Sequence, residues 1–147
     1  MPLPVVWIFA IALIFNIISK LVLRYVGRLR IGIDSLLFCS ISTGYFYGVK
    51  AGILYGGLIA IAFYAINIKW IAHAPYVIPL NAAAGAAAAF LSNMPLITAT
   101  IYVLFFYHII SFIFTFFIYR SVGFGYMLFA ALNFITTYIL IGAFVGF

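Results

Sequence analysis

Between Leu96 and Tyr119 the chain runs for 24 residues without a charged side chain, and it does so again from Phe124 to Phe147. As a helix rising 1.5 Å per residue, such a stretch is roughly 36 Å long, enough to cross a hydrocarbon core of about 30 Å. A water-soluble fold would have to cover two such segments with polar surface. The remaining sequence cannot supply it: in 147 residues there are seven Lys and Arg and one Asp, and 69% of the chain is hydrophobic. Soluble domains carry roughly 25% charged residues. Lipid is the solvent that suits such a surface. The sequence therefore predicts an all-α, polytopic transmembrane helical bundle, with residues 1–147 forming a single integral membrane domain.

Punctuation by proline, glycine and charge divides the chain into about six helices, at approximately 5–26, 31–47, 51–68, 71–91, 96–119 and 124–147. Pro2 and Pro4 precede the first helix, and Ser92-Asn93-Met94-Pro95 leads into the fifth. Pro75 and Pro79 fall in the first half of the fourth and are able to shorten it to Tyr76–Leu91. The stretch from Ile31 to Ile68 contains no proline. As one helix it would be roughly 57 Å long and would bury Lys50 near its centre, where a lysine is expensive. A tight turn around Gly48-Val49-Lys50 removes both problems. The run Val5–Val22 lacks a basic leader and exceeds a typical signal-peptide core, so it reads as a retained helix.

Six crossings place Lys20, Arg24, Arg28, Arg30, Lys69 and Arg120 on one side and Lys50 on the other. This bias predicts a multi-pass protein of the cell membrane with a cytoplasmic first loop and both termini outside. The formal net charge of +6 does not imply nucleic acid, because the cations sit at helix ends and form no basic face. They read as topology signals and lipid contacts.

Ser40, Gly44, Gly48, Gly52, Gly56 and Ala60 recur at intervals of four, a spacing that makes a groove for close backbone approach. Gly85 lies within a second small-residue run, Ala82–Ala89. These residues are expected to pack helices or to dock a partner subunit.

Polar residues inside the helices are few. Asn16, Asn81, Tyr107, His108 and Asn133 are the candidate solute-binding residues, with Ser111 and Thr115 on the His108 face. Such groups are costly in lipid and turn inward, either to bond helix to helix or to line a polar cavity. Asp34, the only carboxylate, is expected to cap the second helix and pair with Arg30, or to meet a cationic ligand or a partner. His73 reads as interfacial, and Cys39 as a small buried hydrophobe that excludes an intramolecular disulfide. Most tyrosines near helix ends fit interface belts.

One carboxylate cannot supply two-carboxylate acid–base chemistry or a carboxylate-held magnesium site. There is no GxxxxGK[ST] loop for ATP hydrolysis, and two histidines are too few for the usual metal centres. The expectation is a non-enzymatic chain without a cofactor or metal.

Ile33-Asp34-Ser35-Leu36-Leu37-Phe38, Gly44-Tyr45-Phe46-Tyr47-Gly48-Val49-Lys50-Ala51-Gly52-Ile53-Leu54-Tyr55-Gly56-Gly57 and Leu80-Asn81-Ala82-Ala83-Ala84-Gly85 together resemble the second to fourth helices of the S components of energy-coupling-factor vitamin transporters. They also resemble the related rod-shape membrane protein MreD. The resemblance covers about half the chain. It implies a small nutrient bound between helices and transport driven by a separate ATPase-containing coupling module. The leading expectation is thus a small-solute-binding component of a transporter. The competing one is an accessory or assembly subunit of a larger membrane complex, with no ligand of its own. An enclosed cavity where the intramembrane polar groups meet favours the first, whereas a filled interior with small residues facing outward favours the second.

Overall fold

The computed structural model describes residues 4–26, 35–120 and 124–145. These form α1 (Val5–Val26), α2 (Leu36–Tyr47), α3 (Val49–Ile66), a 3₁₀ segment (Ile68–His73), α4 (Ala74–Phe90), α5 (Leu96–Tyr119) and α6 (Phe124–Val145). The chain is an all-α bundle. The expected boundaries of the first and fifth helices coincide with α1 and α5. The fourth is corrected: 68–73 tightens into 3₁₀ geometry, and the α-helix starts at Ala74, placing Pro75 in the first turn, where its missing N–H costs little. Pro79 is tolerated inside α4. Asp34 with its expected cap, Arg28, Arg30, the 31–34 start of the second helix and the 146–147 end of the sixth lie outside the described residues.

α1, α3, α5 and α6 are long and apolar enough to cross a membrane; the chain is a multi-pass membrane protein. Among the described residues the second helix is shorter than the expected 31–47. Its 12 residues span roughly 18 Å, too short for the core of the bilayer. The physical reason lies in a long-range contact. Ser35 leaves helical geometry (φ −113°, ψ 21°), its amide donates to Asn16 Oδ1 at 3.0 Å, and its hydroxyl donates to the Ala12 carbonyl at 2.7 Å. α2 therefore begins beside the middle of α1. Every residue from Ser35 to Gly44 is buried, so α2 is the inner helix around which the bundle closes.

The chain reverses at Gly48 alone, whose φ of +85° and ψ of −179° lie in a region essentially restricted to glycine. The reversal folds the small-residue ladder onto itself. A Cβ on Gly52 would lie 2.8 Å from Gly44 Cα, and one on Gly56 would lie 2.9 Å from Ser40 Oγ. α4 enters the same junction: Gly44 and Gly52 both abut the Gly85 backbone, and Gly56 abuts the Asn81 carbonyl. These pairings make α3 antiparallel to both α2 and α4, and the three helices form the most closely packed part of the molecule. The ladder, expected either to pack or to dock, packs helices from within.

α5 runs antiparallel to α4, with Tyr107 bonded to Asn81 and Phe114 stacked on Tyr76. Lys20 of α1 donates to the Ile66 carbonyl at the end of α3. Among the described side chains, Lys20, Lys69 and Arg120 consequently share one end of the bundle, and Lys50 lies at the other.

Candidate functional site

The polar residues fall into three settings. In the first, Asn81 of α4 is fully buried. Its Nδ2 donates to the Val77 carbonyl at 3.0 Å and to Tyr107 Oη at 3.2 Å, while its Oδ1 accepts from Ser40 Oγ at 3.3 Å. Ser40 also donates to Leu36 O at 2.9 Å. This group joins α2, α4 and α5 immediately beside the glycine junction. The close backbone approach is what allows a side chain as short as serine to reach across. The structure thus brings together two expected site residues, Asn81 and Tyr107, and uses both as interhelical ties.

The second setting is the start of α2. Asn16 is 2% exposed. Its Oδ1 accepts from the Ser35 amide and, at 3.3 Å, from the Ser35 hydroxyl. The Ser35 amide holds the oxygen and so orients the group, and among the described residues its Nδ2, buried at the same helix terminus, has no hydrogen-bond partner. The sequence reading missed Ser35. Its signal was a serine directly before an apolar run, the usual signature of a helix start.

The third setting involves α5 and α6. Both ring nitrogens of His108 are shut off from solvent and unpartnered, as is the Thr115 hydroxyl two turns on. Ser111 bonds the Tyr126 hydroxyl, which also donates to the His108 carbonyl at 3.3 Å. Asn133 is 2% exposed and shares the buried face of α6 with Thr137 and Ile141. The hydroxyls of Thr137 and of Ser42 in α2 are buried and unpartnered.

Between α4 and α5 lies a cleft of about 190 Å³, lined by Ala83, Ala84, Ala87, Val103, Phe106 and Tyr107, among others. It is almost wholly apolar, since the alanine methyls leave the space and the α5 aromatics wall it. At the cationic end of the bundle, His73 Nδ1 lies 2.7 Å from Tyr76 Oη, and burial lowers the His73 pKa from 6.5. Burial thus disfavours the imidazolium form of His73. No protein-family model, curated protein or solved structure matches the chain.

Proposed function

We propose that the chain is a small-solute-binding component of a membrane transporter. The carrying observation is the inner half-helix α2, which begins beside the middle of α1 with an unpartnered amide donor, Asn16 Nδ2, at its buried start. Discontinuous helices whose ends lie near the midplane are the usual way a transporter presents backbone groups to a solute. The other orphaned polar atoms, on His108, Ser42, Thr115 and Thr137, add to the case. A buried polar group without a partner is costly, most of all in lipid, and a bound solute offsets that cost. The chain has no P-loop, so transport is driven from outside it, in keeping with the ATPase-containing coupling module that the S-component resemblance implies. The Lys20–Lys69–Arg120 end faces the cytoplasm of a cell membrane, with the termini outside.

The test is purification from native membranes directly into nanodiscs, followed by native mass spectrometry. The proposal expects one defined small molecule per chain. Recovery of a ligand-free chain in a fixed-stoichiometry complex with other membrane subunits would reject it. The accessory-subunit reading has one observation in its favour: the alanine-faced cleft between α4 and α5, into which a neighbouring apolar helix would fit.

A further inference from the structure

Asn81 and Tyr107 tie α4 to α5, and beyond that tie the two helices leave the cleft between them. Its walls run on α4 from Leu80 through Ala84 and Ala87 to Leu91, and on α5 from Val103 to Ile110. The spacings of three and four keep each wall on a single helix face, so the cleft is a trough lying along both helices. Alanine methyls on the α4 side leave the space that larger side chains would fill. The trough opens outward: Phe106 on its rim is 60% exposed, and Ala83 is exposed as well. Tyr107 is the one lining residue with a polar side-chain group, and its hydroxyl accepts from Asn81 Nδ2. A water needs roughly two to four polar partners, and the trough does not offer them. Hydrocarbon needs none. An unfilled trough would forfeit dispersion contact along both walls.

Depth and size select the hydrocarbon. Gly56, the eighth of the 18 residues of α3, abuts the Asn81 carbonyl, so the inner end of the trough lies near the middle of the membrane. At its outer end, past Leu91, the chain turns through Ser92 and Asn93, both exposed. Leu80 and Leu91 are on the order of 16 Å apart along α4, about half of a bilayer core roughly 30 Å thick. The trough therefore has the depth of one leaflet. Its volume is about 190 Å³, a little above the roughly 150 Å³ of an apolar cavity that takes up benzene. That suits a slender chain. A helix about 10–12 Å across with its side chains lies over such a trough rather than in it. We infer that the cleft binds one hydrocarbon chain of a membrane lipid from the leaflet at the Lys50 end of the bundle, with the chain's terminal methyl beside Leu80 and Ile110. This site is independent of α2 and of any solute.

The experiment uses the full chain, deuterated except for ¹³C-labelled alanine methyls, in nanodiscs of protonated palmitoyl-oleoyl-phosphatidylcholine. NMR reads nuclear Overhauser effects from acyl-chain methylenes to the methyls of Ala84, which is 5% exposed, and Ala87. Both are expected to show them. A phosphatidylcholine spin-labelled high on its chain is expected to relax Ala87 more than Ala84, and one labelled at the chain end to do the reverse. Ala87→Leu fills the trough and is expected to abolish the Ala84 effect, while an unshifted Asn81 side-chain amide reports that the fold is kept. Ala65→Leu, which adds the same bulk at an exposed position of α3, is expected to leave the effect in place. No acyl contact at Ala84, or contact that survives Ala87→Leu unchanged, would overturn the inference. Contacts between differently labelled chains at Ala84 would place a second copy's helix over the cleft, and would overturn it as well. Equal relaxation of both methyls by both labelled lipids would contradict a chain held along the trough.

Discussion

Gly52→Ala is the sharpest perturbation of the packing that places α2. An added Cβ would lie 2.5 Å from Gly85 O, 2.6 Å from Gly85 C and 2.8 Å from Gly44 Cα. Ordinary contact starts at 3.4 Å, so the nearest neighbour must recede by 3.4 − 2.5, about 0.9 Å. Every close neighbour is backbone, on two different helices, so no side chain can swing aside. α3 must move off α2 and α4 together, and a gap of that size forfeits roughly a quarter to a half of each dispersion contact along the seam. Overpacking typically costs about 1–3 kcal/mol, and the two-sided backbone clash puts this substitution at the upper end, near 3 kcal/mol. Gly57→Ala is the control. It lies on the same helix with nothing within 4 Å of its added Cβ, and the gain in helix propensity is about 0.5–1 kcal/mol. That gain is common to both substitutions, so the two variants should differ by the overpacking cost alone, roughly 3 kcal/mol. Reversible unfolding in bicelles, followed by steric trapping or circular dichroism, reads the difference. Equal stability of Gly52→Ala and Gly57→Ala would refute the glycine junction.

Further outcomes follow from the same geometry. Gly48→Ala meets no neighbour, so its cost is backbone strain alone, about 1–3 kcal/mol, and it should appear as a loss of stability at the α2–α3 turn in hydrogen exchange. A double-mutant cycle of Asn81→Ala and Tyr107→Phe should give a coupling of roughly 0.6–1.7 kcal/mol, the range for hydrogen bonds between membrane helices; zero coupling would remove this tie between α4 and α5. The His73 ring should titrate below 6.5 by NMR, because burial opposes the imidazolium. Since its folded pKa is the lower one, the stability of the 3₁₀ segment is full above about pH 6.5 and falls as the pH drops towards the folded value. In a Cys39→Ser background, Lys50→Cys and Lys69→Cys should react with impermeant maleimide from opposite sides of the membrane; reaction from one side would contradict the placement of the cations.

What the sequence disclosed follows from the range of the interactions involved. Helix lengths in lipid are set by local apolarity, so α1 and α5 were legible to the residue, bounded by Pro4 and Pro95. The turn at Gly48 was legible because a buried Lys50 is expensive and the small-residue spacing continues through it. The start of α2 was not, because it depends on Asn16 and Ala12, some twenty residues earlier, taking the hydrogen-bonding groups of Ser35. The ladder was visible as a spacing. That its two halves face each other, with Gly85 between them, needed the fold. Asn81 and Tyr107 were recognised as polar groups turned inward, yet only their geometry shows them bonding each other. His108 was singled out for the same reason and does keep its ring nitrogens unpartnered.

The proposed function depends on α2 beginning halfway along α1. The direct measurement is oxidative cross-linking of a cysteine pair at Ala12 and Ser35, in a Cys39→Ser background and in native lipid. The Ser35 hydroxyl donates to the Ala12 carbonyl, which places the start of α2 against this turn of α1, so the account predicts that a cysteine at 35 bridges to position 12 in preference to positions nearer the end of α1. A cysteine at 35 that instead bridges to positions near Val26, at the end of α1, would contradict it.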